Sequence, residues 1–185
     1  MVQSGTQWGI VGSWATRAQP AEGPTGTRQD HQRKKGADKV FTGWSKHTLD
    51  AKGRLAIPAR FRDVMKPRGD DRLVITCSDR CLVAYPLEQW RAMADKVSRL
   101  SQVDPRVQAF RRIFISGGEE CACDKQGRVL IPQMLRKMAG LDNQVVLVGM
   151  QTNFEIWDEE RWYQYQQSVR AEFGDLSSFM AELGI

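Results

Sequence analysis

The sequence predicts an α+β, mainly β fold in which two copies of one small unit pack together. Three observations predict it. The stretch Thr48-Leu-Asp-Ala-Lys-Gly-Arg-Leu-Ala-Ile-Pro-Ala-Arg-Phe-Arg-Asp63 returns 74 residues later as Ala122-Cys-Asp-Lys-Gln-Gly-Arg-Val-Leu-Ile-Pro-Gln-Met-Leu-Arg-Lys137, with 6 identities in 16 positions. Each copy is followed by two short β-rich runs, and each pair of runs by an amphipathic helix. Self-similarity at a fixed spacing means units that bury their apolar faces against each other.

The repeated stretch has a direct physical meaning. In Asp-x-x-Gly-Arg the Asp bonds backbone groups two residues on, and Gly accepts the positive φ of a tight reversal. A short apolar run follows (Leu55-Ala-Ile57, Val129-Leu-Ile131), then a Pro suited to the first turn of a helix. The expected unit is a hairpin tip, a strand and a short helix. Asp50, Gly53, Asp124 and Gly127 shape the tips. Arg54 and Arg128 stand beside them, and Arg62 and Arg136 ride on the helices. Paired arginines on paired turns suit a surface that faces a repetitive polyanion.

Taken in order, Phe41-to-Leu49 and Arg54-to-Ile57 read as hairpin arms, and Pro58-to-Lys66 as a helix stopped by Pro67-Arg-Gly69. Leu73-Val-Ile-Thr76 and Cys81-Leu-Val-Ala-Tyr85 read as strands. Leu87, Trp90, Met93, Ala94, Val97 and Leu100 recur at helical steps. A second helix follows Pro105, with Val107, Phe110, Ile113 and Phe114 on its apolar side. The second half repeats this order: a hairpin about Asp124-to-Arg128, a helix from Pro132 to near Gly140, strands at Val145-to-Val148 and Phe154-to-Trp157, and a closing helix bearing Trp162, Tyr165 and Val169. The expected boundaries are a first unit over 41–102, a second over 103–174 and a tail over 175–185.

Residues 1–39 differ from the rest. Six glycines, two prolines and the cluster Arg33-Lys-Lys35 leave little to build a core from, so the expectation is a disordered extension. Ile10-Val11 is its only aliphatic pair, too short for a signal-peptide core. No apolar run approaches the ~20 residues that span a bilayer, so no membrane partner is expected. The net charge is +5; residues 1–39 carry +3 of it and the remainder only +2. A nucleic-acid reading therefore rests on where the arginines lie rather than on bulk charge.

Other chemistries fit less well. Asp50 and Asp124 could in principle work as an acid and base pair, but no nucleophile accompanies them. His47 is the only histidine outside the extension. A turn-capping role for both carboxylates, and no enzyme activity, is the expectation. Gly117-Gly118 lacks the helix-start context of a phosphate cradle. Cys77, Cys81, Cys121 and Cys123 could supply four thiolates to zinc if the two pairs met, or be free buried thiols in a reducing cytoplasm. Neither pair has the common Cys-x-x-Cys spacing, so no metal and no cofactor is expected.

Asp-x-x-x-Arg, an apolar pair, Pro and an Arg-bearing helix resemble the AbrB/MazE-like (SpoVT-AbrB) DNA-binding unit. Two copies in one short chain, with Val40-Phe-Thr-Gly43, Tyr85-Pro-Leu-Glu-Gln-Trp90, Val146-Leu-Val-Gly149 and Phe154-Glu-Ile-Trp-Asp158, resemble the MraZ family of bacterial transcriptional regulators over roughly Phe41 to Phe173. The resemblance implies a pseudo-two-fold, swapped-hairpin AbrB-like barrel with flanking amphipathic helices. It also implies a partner, double-stranded DNA carrying short promoter direct repeats upstream of the division and cell-wall gene cluster. A ring-like homo-oligomer and a cytoplasmic, nucleoid-associated location are implied with it. Lys52, Arg54, Arg60, Arg62, Lys125, Arg128, Arg136 and Lys137 would contact DNA, the arginines suited to guanine and the lysines to phosphate. Family members begin Met-Phe-x-Gly, so Val40 is the expected start and the extension an over-extended gene start. The rival reading is a protein-binding module of the MazE antitoxin type.

Overall fold

The computed structural model describes residues 39–66, 69 and 71–184. The expectations for the N-terminal extension lie almost wholly outside them. The first half of the chain runs β1 (Trp44–Thr48), β2 (Arg54–Ala56), α1 (Ala59–Met65), β3 (Arg72–Cys77), β4 (Leu82–Pro86), α2 (Leu87–Ser98) and α3 (Pro105–Phe110), the last lying past the expected boundary at residue 102. Helix α3 continues into a π-helical turn, Arg111–Ile115. The second runs β5 (Glu119–Ala122), β6 (Arg128–Leu130), α4 (Gln133–Met138), β7 (Gln144–Met150), β8 (Asn153–Asp158), α5 (Glu159–Ala171) and α6 (Phe173–Glu182). The result is a mixed, mainly sheet fold of two repeats.

The strands form a six-stranded antiparallel sheet in the order β1-β7-β8-β4-β3-β5 and a two-stranded ribbon of β2 with β6. Both arrangements read the same when the repeats are exchanged. At the middle of the large sheet Val83 of β4 faces Glu155 of β8, equivalent positions 72 residues apart. At the middle of the ribbon Leu55 faces Val129, equivalent positions 74 apart. Each hairpin's first strand joins the other repeat: β1 pairs with β7, and β5 with β3. Neither unit completes its own sheet, so the two fold as one body.

The apolar runs read as strands are buried on both faces over most of their length. Leu55 and Val129, Leu73 and Ile75, Leu82 and Ala84, Val145 and Leu147, and Phe154 and Ile156 fill one continuous core. Phe41, Phe61 and Phe154 form a ring triad within it, with centroids 5.1–5.3 Å apart. Such aromatic contacts stabilise beyond their area by about 0.5–1.5 kcal/mol each. Phe61 brings α1 against the sheet, and Leu135 does the same for α4.

Three details depart from the sequence-based expectations. Pro58 and Pro132 sit at the N-cap, one residue before the first helical turn, with ψ of 144° and 140°. That extended geometry lets the strand run straight into the helix. The apolar stripe after Pro105 is an α-helix that widens to a π turn, closed by Ser116 N–H donating to the Arg111 carbonyl. The wider turn seats Phe114 against Trp90 and Tyr85. Finally, the segment expected as a tail carries most of α6, separated from α5 by a break at Glu172. Among the described residues no helix is long and apolar enough to cross a membrane.

Candidate nucleic-acid interface

Each repeat's Asp-x-x-Gly-Arg turn is locked by the same bonds. Asp50 Oδ1 accepts from the backbone N–H of Lys52 and of Arg54, both at 2.9 Å. Its backbone carbonyl accepts from Gly53 N–H at 2.8 Å, and its own N–H donates to the Arg54 carbonyl. Asp124 does likewise, accepting from the N–H of Gln126 at 2.8 Å and of Arg128 at 2.9 Å. Gly53 and Gly127 take φ of +80° and +73°, where a side chain would be strained. The backbone N–H of Arg54 is the main reason the Asp50 carboxyl is pushed down to about 2, with the Arg54 guanidinium adding to it. Asp124 is lowered in the same way by Arg128.

The carboxylates also hold the arginines. Arg54 Nε donates to Asp50 Oδ2 at 2.6 Å. Arg128 donates to Asp124 Oδ2 through both Nε (2.9 Å) and Nη2 (2.7 Å). The Arg54 and Arg128 side chains keep 34% and 29% of their surface exposed, so each head is anchored at one edge and open elsewhere. The difference matters: Arg54 keeps both terminal nitrogens clear of its Asp, whereas Arg128 commits one of them. A guanidinium held this way loses less rotamer freedom when it meets a ligand.

The other site residues expected from the sequence are placed unequally. Lys52, Lys125 and Lys137 are exposed, the first two at the turn tips and the third on α4. Arg60 is drawn to β1, where Nη2 donates to Ser45 Oγ at 2.9 Å and the guanidinium covers the Phe61 ring. Arg62 and Arg136 are half-buried. Each lies against the glycine of the other repeat's turn, Arg136 on Gly53 and Arg62 on Gly127. That exchange was not legible, because sequence spacing places Arg62 and Arg136 beside their own repeats' turns.

The Asp50 and Asp124 carboxylates are each committed to an arginine of their own turn. Cys77, Cys81 and Cys121 are buried, Cys123 is half-buried, and all four are free thiols. Burial pushes Cys121 and Cys123 up to about 11. Among the described residues no group of three or more His, Cys, Asp or Glu is placed to hold a metal ion.

A feature that the sequence left unremarked lies on the second repeat. In the first, the π turn packs Phe114 over Tyr85 and Trp90, and Thr76 Oγ1 donates to the Phe114 carbonyl at 2.7 Å. The counterparts of Thr76, Tyr85 and Trp90, namely Val148, Trp157 and Trp162, are buried beneath Tyr165 instead, and with Glu155 they border a groove of about 430 Å³. The 72-residue offset between the halves was the signal that could have located it.

The fold and its paired turns define a tandem-repeat protein whose halves share one sheet and present equivalent arginine-bearing turns. Comparison with known proteins adds the family. The model described as "MraZ protein, putative antitoxin-like" matches residues 40–113 and again 114–181. The protein named Transcriptional regulator MraZ from Syntrophobacter fumaroxidans is 46% identical over 145 residues, covering 78% of this chain and 97% of its own. Proteins of that name from Desulfitobacterium hafniense (39% over 146 residues; 79% and 100% covered) and Carboxydothermus hydrogenoformans (40% over 143; 77% and 98%) are also similar. The chain belongs to the MraZ family.

Proposed function

We propose that this chain is a sequence-specific, double-stranded-DNA-binding transcriptional regulator that reads its operator through the Arg54 and Arg128 turns. The observation that carries this reading is the pair of equivalent turns, each with an arginine braced by its own aspartate and one edge left open. The names of the relatives, all transcriptional regulators, support it. Arg suits bidentate contact with guanine in the major groove, and Lys52, Lys125 and Lys137 suit phosphate contact. Arg54 leads, because its terminal nitrogens are freer and Lys52 stands beside it where the second repeat has Gln126.

The proposal extends to architecture. The exchange of β1 and β5 between repeats and the β2–β6 ribbon support a swapped, double-hairpin barrel as the DNA-facing unit. So few cationic side chains bind weakly and with steep salt dependence when alone. Several copies in a ring-like homo-oligomer, each engaging one of a set of direct repeats, raise affinity without new contacts. The aromatic groove of the second repeat and the exposed Phe110 and Ile113 of the first are the surfaces we assign to that contact. The target we propose is its own promoter region, upstream of the division and cell-wall gene cluster, with the protein on the nucleoid.

The test is fluorescence anisotropy with the DNA upstream of its own gene and a scrambled-repeat control, using the full chain. Arg54→Ala is expected to cost about 1–3 kcal/mol of binding, roughly 5- to 150-fold, and to relax sequence preference. Arg128→Ala is expected to cost less. Wild-type binding that is indifferent to both the repeats and the arginines would overturn the reading and point to a protein partner.

A further inference from the structure

The two turns are braced crosswise. A Cβ placed on Gly53 would lie 2.6 Å from Arg136 Cζ, and one on Gly127 would lie 2.8 Å from Arg62 Cδ and Nη1. Each arginine therefore rests on the bare backbone of the opposite repeat's turn. The main chain follows the same route. Ile131 N–H donates to the Gly53 carbonyl at 2.9 Å, and Ile57 N–H to the Gly127 carbonyl at 2.9 Å. Arg136 closes the first connection, with Nε donating to the Ile131 carbonyl at 3.1 Å. The turn carrying Arg54 is thus tied to β6 and α4, and the turn carrying Arg128 to β2 and α1.

We propose that Arg62 and Arg136 are positioning residues acting across the repeats: Arg136 sets the turn that presents Arg54, and Arg62 sets the turn that presents Arg128. The DNA consequence rests on the function proposed above, but the cross-repeat bracing does not. The flat guanidinium is what the geometry requires, since it can lie on a glycine peptide while Nε bonds a carbonyl. An ammonium has neither the plane nor the fixed fork. The two braces differ. Arg136 Nε has its carbonyl, whereas Arg62 Nε is buried without a hydrogen-bond partner. Arg136 is accordingly the stronger brace, and it serves the turn we assign as the leading reader.

The experiment uses the full chain, isotopically labelled, as wild type, Arg136→Lys, Arg62→Lys and Arg136→Gln. The lysine variants keep the charge and most of the volume, so they fold where alanine could fail. Arg136→Lys is expected to shift the Lys52 and Arg54 amide resonances and to speed their hydrogen exchange by about tenfold. Gln126 and Arg128 should stay unmoved, and Arg62→Lys should do the reverse. For DNA, Arg136→Lys is expected to lose about tenfold in affinity, and Arg136→Gln to keep the wild-type salt slope. Full rescue by lysine, with a slope lowered by about one in Arg136→Gln, would make Arg136 a phosphate contact and overturn the proposal. Perturbation confined to the variant's own repeat would overturn it too. Wild-type chain that binds no DNA would defeat the function reading, and the amide pattern alone would then decide the bracing.

Discussion

Asp50 gathers three constraints on one carboxylate: the amides of Lys52 and Arg54 and the guanidinium of Arg54. All three favour the ionised form, so the folded carboxyl sits near 2 against an ordinary value of 3.8. Its stabilising contribution is therefore complete above the unfolded value and is lost as pH falls toward 2. Resonances of Lys52 and Arg54 should hold still from pH 8 to about 4 and move only below that, as an NMR pH titration would show. Asp50→Asn keeps the size and removes the charge; it should lower the melting temperature and weaken DNA binding by releasing Arg54. Gly53→Ala meets both a φ of +80° and the Arg136 guanidinium. A cost of about 1–3 kcal/mol is expected, read by urea unfolding. The Asp-Gly-Arg chemistry of these turns was legible because every partner lies within four residues. The Arg62 and Arg136 contacts were not, because each spans two repeats.

At the scale of elements, β2 and β6 are only three residues long, yet they join the halves. Leu55 and Val129 face each other at the ribbon's centre, both fully buried. Leu55→Ala should cost about 2–5 kcal/mol and lower the cooperativity between the halves, checked by comparing unfolding by fluorescence and by circular dichroism. Existence and order of the strands could be read from apolar runs between turn residues, and from the repeated turns for the polar arms β1 and β5. Their partners could not: alternation tells which face is buried, and it is silent on which strand lies alongside. The π turn was hidden for a related reason. Phe110, Ile113 and Phe114 keep ordinary helical spacing in the sequence, while in the structure the turn is π-helical and Phe114 stacks on Trp90.

For the whole molecule, near-symmetry is broken at the aromatic clusters. The core and turns obey the repeat, whereas the aromatic clusters are completed differently, by Phe114 of the π turn in the first half and by Tyr165 of α5 in the second. Tyr165 is 38% exposed at the groove of the second half, stacked on Trp157 with centroids 5.0 Å apart. If the groove joins copies, Tyr165→Ala should shift the chain toward smaller species in size-exclusion chromatography with light scattering. Affinity for an array of repeats should then fall by more than affinity for a single one, because avidity is what is lost. Unchanged mass would remove this groove from the interface.

The sequence by itself determined the local chemistry of this protein. It placed the two turns, the residue types that lock them, the apolar runs of the core and the family, because those depend on spacings of a few residues and on a repeat that can be counted. Tertiary structure alone decided which repeat serves which. The pairing of β1 with β7 and of β5 with β3, the resting of Arg136 on Gly53, and the groove bordered by Ser78, Val148 and Trp157 all join residues remote in the chain. Their physical cause is that one short unit cannot bury its own apolar face, and completing it with the other exchanges strands and side chains between the two.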